Sequence, residues 1–406
     1  MSRLLEGVRV VEVSMWGFVP TTGVVLADWG ADVIKIEHPD HPDPARGVMT
    51  SSWVAGRNGV RFLFEIFNRG KRCAAINLGH PDGREVLYRL LETADVMVTS
   101  LRPDARERLG ISADLITARF PRIVYASGSG LGPQGPDANQ GGYDLSAYWS
   151  RAGTAYCVTP RDAERPADMP APGFGDVPSG TILAGGIAAA LLRRERTGAG
   201  SVIDLSLLNA GMWAMSGELT ATEAIGADRF YQGDGRVAGN PLVALYRTRD
   251  DRFIQLVMTD GDRHFADLCR HLGRPELAGQ ERFADQAARR EHSAALIAIL
   301  EESIGSADLE YWTKALEGTS GVWAVVRGPR EVPLDPQVVA NEYVRVRHDR
   351  EGRDYLSVVS PVRAIGDPDV DARPAPDHGE HTDEVLLGIG LSWEDLIGLK
   401  VAGAIL

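Results

Sequence analysis

VRVVEVSMWGFVPTTGVVLADWGADVIKIE, residues 8–37, carries the pattern that decides the fold class. Residues 8–13 (VRVVEV) form a short β-branched run. Residues 20–29 are a small-residue helix candidate ending at Gly30, and residues 32–37 (DVIKIE) read as the next strand. Working outward, residues 73–78 (CAAINL) read as a third strand, followed by a helix over 81–94 that opens with Pro-Asp. Residues 95–99 and 122–127 (RIVYAS) add two more strands. Strand and helix in alternation predict an α/β fold, a mostly parallel sheet with helices on both faces.

From 133 to 178 the chain is rich in Gly, Pro and Asp and has little periodicity, as functional loops often have. A helix is expected over 181–196, stopped by Gly198 and Gly200, then a strand from 201 and a helix over 210–227. Near Gly233 a second, smaller α+β region begins. It offers a hairpin of 243–247 against 253–258 and helices over 262–272, 290–304 and 309–318. Beyond Val322 the pattern changes again, through Pro329, Pro333 and Pro336.

The chain has 406 residues, 44% hydrophobic and 24% charged, with a formal charge of −13. That composition belongs to a globular protein, and the acidic balance argues against nucleic-acid binding while leaving room for a local anion site. Cys73, Cys157 and Cys269 lie far apart, so neither a disulfide framework nor a thiolate zinc site is expected. The start lacks a secretory pattern and no window is apolar enough to span a bilayer, so a cytoplasmic location is expected.

The turn after the first strand, Ser14 to Pro20, holds one glycine and no GxGxxG, so a nicotinamide or flavin cofactor is disfavoured even though Glu37 ends the second strand. Gly128-Ser129-Gly130 reads as a flexible loop, since no helix follows it and no GxSxG elbow surrounds Ser129. His378 and His381 resemble metal ligands at first sight, but nothing nearby completes a set, and a helix start capped by Thr382 or Asp383 is expected there. Asp176, in Gly173-Phe174-Gly175-Asp176-Val177-Pro178-Ser179-Gly180, precedes the apolar helix. It reads either as an N-cap or as a nucleophile that flanking glycines leave open, kept ionised by the helix start, whose N–H groups face a developing oxyanion.

These segments, taken together and in order, resemble the class III CoA-transferase family, which includes formyl-CoA and carnitine CoA-transferases and α-methylacyl-CoA racemase. The resemblance rests on LLEGVRVVEVS, LADWGADVIKIEHP, NRGKRCAAINL, LRPDARERLG, PRIVYASGSGLGPQGP, GGYDLSAYWSRAG, GFGDVPSG and DHGEHTDEVLLGIG, and it covers nearly the whole chain. It implies Asp176 as the catalytic aspartate, with Tyr143 as a hydrogen-bonding or positioning partner and Asp144 supporting the loop. It implies Arg108, and with it Arg102, for a CoA phosphate, Lys71 and Arg72 near the adenine and 3′-phosphate, and Trp16 beside the ligand. It also implies a Rossmann-like large domain over 1–200, a linker over 201–224, a small domain over 225–325, a return over 326–406, and an interlocked homodimer. Coenzyme A enters as substrate, and neither a metal nor a redox cofactor is needed.

Two positions depart from subgroups of the family. Racemases carry His where this chain has Tyr143, and Tyr, with a reference pKa of about 10, is a poor proton shuttle. That favours CoA transfer over racemisation; a CoA-binding protein without activity is the third reading. Formyl-CoA-type members carry Gln at Gly17 and a glycine-rich loop of which Gly233-Asp234-Gly235-Arg236 is a remnant. The acyl group is therefore expected to be medium to large and apolar, against a wall of Trp16, Phe18, Tyr148 and Trp149 that could equally be core.

Overall fold

A computed structural model describes residues 4–48, 59–230, 240–366 and 372–406. The Gly233–Arg236 segment singled out above lies outside them. The chain divides into two units, one comprising Met1–Tyr156, Asp168–Thr220 and Glu342–Leu406, the other Cys157–Ala167 and Ala221–Asn341.

The first unit is built on six parallel strands, β1 (Arg9–Val13), β2 (Asp32–Glu37), β3 (Arg72–Ala75), β4 (Val96–Thr99), β5 (Val124–Ser129) and β6 (Ser201–Ser206), in the order β3-β2-β1-β4-β5-β6. Successive side chains alternate between two buried faces. Val10, Val33, Val96, Val98, Val124 and Ala126 point to one core, and Val11, Ile34, Ile36, Met97 and Tyr125 to the other. Burial on both sides is why these strands read as continuous apolar runs. Helices Phe18–Asp28 and Asp176–Thr197 cover the first face through Val25, Leu26, Leu183 and Ile187. Pro81–Leu91 covers the second with Leu87 and Leu90, joined by the C-terminal helices Thr382–Gly388 and Trp393–Val401 through Leu386 and Leu396. The strand order reverses between β1 and β4, which opens a crevice at their carboxyl ends, the usual ligand position in such sheets.

Several expectations shift. The third strand runs only from Arg72 to Ala75; Ile76 N–H donates to Glu37 O at 2.8 Å, and Ile76 also bridges Ile405 from the C-terminus. The loop over 133–178 contains a π-helical turn, Asp144–Arg151, and a short helix, Thr154–Val158. The helix expected over 210–227 is two, Leu207–Ala214 and Ser216–Ile225. The first begins at Ser206, whose hydroxyl accepts from the Asn209 amide at 3.0 Å. A hairpin of β10 (Val344–His348) and β11 (Asp354–Val358) was not anticipated. Its turn is set by the Asp349 carboxylate, which accepts from the Glu351 and Arg353 amides.

The second unit holds a three-stranded antiparallel sheet, β7 (Leu245–Arg247), β8 (Phe253–Leu256) and β9 (Trp323–Val325), in that order. Helices Gly261–His271, Ser293–Gly305 and Leu309–Ala315 bury Phe265, Leu268, Leu296, Leu300 and Trp312 with it. The helix expected from 290 begins at Ser293, after a separate turn, Gln286–Glu291, capped by the Asp285 side chain. Among the described residues no helix is long and apolar enough to cross a membrane.

Candidate active site

Asp176 is the first residue of its helix. The N-cap is Gly175, and no side chain caps the helix end. The capping reading of Asp176 therefore fails, and its carboxylate has no hydrogen-bond or ion-pair partner among the described residues. The expected N–H donors for an oxyanion are also mostly absent. Val177 N–H is bonded to Gly173 O at 2.9 Å, Ser179 N–H to Gly175 O at 3.2 Å, and Pro178 has none.

The carboxylate instead lies against Gly17, the N-cap of helix Phe18–Asp28. A Cβ placed on Gly17 would stand 2.3 Å from Asp176 Oδ2 and 3.1 Å from Phe67 Cζ. Gly17 has φ −109°, a conformation open to any residue, so the close approach and not the backbone requires glycine here. Gly17→Ala is accordingly expected to push the carboxylate aside and lower turnover by about 10²-fold in a protein that still melts cooperatively, as steady-state kinetics beside a thermal melt will check.

Burial raises the Asp176 pKa from 3.8 to about 7, and the like charge of Asp144 adds to the effect. That upward shift runs against the expectation that the helix start keeps Asp176 ionised. Asp144 is itself buried and shifted upward by desolvation. Its Oδ1 accepts from the Leu145 amide at 2.7 Å. The amides of Gly173, Gly175 and Asp176 are turned toward it, yet none closes a full bond on Oδ2. Two neighbouring carboxyls, both raised, are what acid–base and nucleophilic sites have in common. The sequence assigns Asp144 only a supporting role, since nothing in the 31 residues of intervening chain signals that it shares a site with Asp176.

The loop after β1 forms the facing wall. Trp16 adopts φ +71°, rare for a non-glycine residue, and its ring meets Tyr143 edge to face at 5.4 Å. Tyr143 is 55% exposed and Phe174 42%, whereas Phe18, Tyr148 and Trp149 are buried. The last three are thus core, and the accessible aromatic surface comes from Trp16, Tyr143 and Phe174.

Beyond the carboxyl ends of β1, β2 and β3, and reaching the chain after β4, lies a groove of about 150 Å³, its lining including Met15, His38, His41, Asp43, Leu78 and Leu101. Arg108 ends the helix Pro103–Arg108, beside Leu109 of the same groove; it is exposed and forms no salt bridge among the described residues. Arg102 is exposed too and donates to Asn139 O at 3.0 Å. Arg72 is held by Asp32, at 2.6 and 2.8 Å, and by Glu384 at 3.0 Å. Lys71 is a correction: it is fully buried, its ammonium bonded to Glu12, Pro20 O and Asn68 Oδ1 at 2.9, 2.8 and 3.1 Å, so it cannot meet a phosphate.

Elsewhere, Ser129 Oγ accepts from the Gly132 amide at 3.0 Å and serves its turn. His381 accepts from Cys73 N–H, and His378 Nε2 lies 3.0 Å from His38 O. Helix Thr382–Gly388 starts after His381 without a side-chain cap, because Thr382 Oγ1 accepts from the Ala75 amide instead. Among the described residues no group of three His, Cys, Asp or Glu could hold a metal.

Comparison with known proteins places the chain among CoA-transferases. The chain is 30% identical to (R)-2-hydroxy-4-methylpentanoate CoA-transferase of Clostridioides difficile, over 98% of each chain. It is 28% identical to human succinyl-CoA:glutarate CoA-transferase, over 94% of this chain and 85% of that one. The crystal structure of Rv3272 from Mycobacterium tuberculosis superposes with a TM-score of 0.80 at 27% identity, covering 94% of this chain and 99% of that one. A CAIB/BAIF family protein from Brucella suis gives 0.80 at 26% identity, over 96% and 100%. The model of CoA-transferase family III matches residues 5–382, and the chain belongs to that family.

Proposed function

We propose that the protein moves CoA from an acyl-CoA to a carboxylic acid through covalent intermediates on Asp176. The observation that carries this reading is the unpartnered carboxylate of Asp176, pressed on Gly17 and bordered by Asp144. An Asp176 oxygen attacks the thioester carbonyl, the C–S bond breaks, and an acyl-aspartyl anhydride and CoA thiolate result. The thiolate attacks Asp176 Cγ, releasing the donor acid as a carboxylate and leaving an aspartyl-CoA thioester. The acceptor carboxylate displaces the thiolate to form a second anhydride. The thiolate then takes the acceptor acyl group and frees Asp176. One thioester replaces another, so no ATP is consumed.

In this reading the groove beside Leu101 and Leu109 holds the adenine end of CoA, with Arg108 on a phosphate. Trp16, Tyr143 and Phe174 favour a medium to large apolar acyl group. The names of two relatives, the hydroxymethylpentanoate enzyme and a cinnamoyl-CoA:phenyllactate CoA-transferase of Clostridium sporogenes, support branched or aryl acids. The working form is a cytoplasmic, interlocked homodimer. Val346, Leu356 and Val358, more than half exposed on the β10–β11 hairpin, supply apolar surface for such a partner.

Racemisation is the competing chemistry, and Tyr143 in place of a histidine speaks against it. Turnover in D2O separates the two. Transfer predicts a new acyl-CoA only when an acceptor acid is present, with no deuterium at Cα. Deuterium at Cα without an acceptor contradicts it.

A further inference from the structure

The loop that carries Trp16 and Gly17 is held from below by charges that the reaction itself does not use. Asp43 is 4% exposed. Its Oδ1 accepts from Trp16 N–H at 3.1 Å and from Ala45 N–H at 2.9 Å, and its Oδ2 lies 2.9 Å from Lys35 Nζ. Lys35, fully buried, donates also to Ser14 O at 2.9 Å. The Lys35–Asp43 pair thus grips the loop at both ends, at the Ser14 carbonyl and the Trp16 amide, and the left-handed turn lies between these grips and Gly17. Met15 N–H adds a third tie, to Ser100 Oγ at 3.0 Å. A left-handed conformation is strained in a bulky residue and persists only where its surroundings impose it.

We infer that Asp43 is a positioning residue for CoA transfer: by holding the Trp16 amide it keeps Gly17 against the Asp176 carboxylate and the Trp16 ring against Tyr143. This rests on the assignment of Asp176 as nucleophile. Asp43 borders the groove assigned above to the adenine end of CoA, but it makes no hydrogen bond or ion pair with Asp176. Its effect passes through the loop, and an error of about 1 Å in the facing wall is enough to cost about 10²-fold in rate.

Two variants test it. Asp43→Glu keeps the charge opposite Lys35 but moves the oxygens out by one methylene. Asp43→Ser drops the charge but leaves a hydroxyl that reaches the Ala45 amide two residues on, as such side chains do in turns. Both lose the bond to Trp16. The expected result is a fall in kcat of about 10- to 100-fold in each folded variant, with KM for acyl-CoA changed less than about threefold. Wild-type kcat in either folded variant, or a loss expressed only in KM, overturns the role of Asp43. If the serine variant does not fold, the glutamate variant, which keeps the ion pair, decides alone. Asp176→Ala measured alongside separates the two claims. An active Asp176→Ala removes the nucleophile assignment, whereas an inactive one beside a fully active Asp43→Glu removes only the inference made here.

Discussion

Asp176→Ala should lose CoA transfer by at least ~10³-fold in kcat while folding normally, because the anhydride and the aspartyl thioester both form on the missing carboxylate. Asp176→Asn should be similarly inactive, since an amide is a far poorer nucleophile of the same shape. The wild type should also lose activity as pH falls through about 7, where burial and Asp144 place the Asp176 titration. The same shift fixes a sign for stability. The carboxyl has a higher pKa folded than unfolded, so the native state binds a proton more tightly, and wild-type stability declines as pH rises from about 4 to about 7. Asp176→Asn removes that decline. It should be more stable than wild type at pH 8, on the order of 2 kcal/mol once partial exposure is discounted, with the gap closing toward pH 4. Urea titrations at the two pH values provide the check.

Glu12→Gln is expected to cost about 3–5 kcal/mol of stability, since it leaves buried ammonium groups short of their counter-charge. Glu12, Lys35 and Lys71 are all fully buried. Glu12 pairs with Lys71 at 2.9 Å and Lys35 at 3.4 Å, and accepts from Ser14 Oγ at 2.7 Å. The helix above passes in contact with it: a Cβ on Gly23 would fall 1.8 Å from Glu12 Oε2. Burial already outweighs the attraction of Glu12 and draws the Lys71 pKa down to about 8. Without Glu12, Lys71 should release its proton on folding, and Lys35 keeps only Asp43 and the Ser14 carbonyl. A loss of that size is a large share of the ~5–15 kcal/mol typical of a domain, visible as a fall in the urea midpoint. A change below about 1 kcal/mol would mean the network contributes little.

The sheet was legible because a parallel strand buried on both faces leaves a continuous β-branched run, as in VRVVEV and DVIKIE. The β10–β11 hairpin was not: in Asp354–Val358 the buried positions are Tyr355 and Ser357 while Leu356 and Val358 are exposed, so apolar residues do not mark the buried face. β9 is three residues long and leaves no periodicity to read. In the site, the glycines around Asp176 leave it readable as an N-cap or a nucleophile and only the family resemblance favours the second, while its contact with Gly17 and its neighbour Asp144 depend on how distant segments meet. Lys71 shows the opposite failure. In Asn68-Arg69-Gly70-Lys71-Arg72 the charges look like a solvated cluster, yet the turn at Gly70, with φ +80°, sends Lys71 inward to Glu12. Burial of one charge by another charge has no local signature in sequence.

The central claim is that CoA passes through Asp176, and intact-protein mass spectrometry after incubation with acyl-CoA and hydroxylamine tests it most directly. The account predicts a CoA thioester adduct without hydroxylamine, its conversion to a hydroxamate with hydroxylamine, both mapping to the peptide containing Asp176, and neither in Asp176→Ala. Efficient transfer to an acceptor acid with no adduct on Asp176, or the same adduct retained in Asp176→Ala, would contradict it.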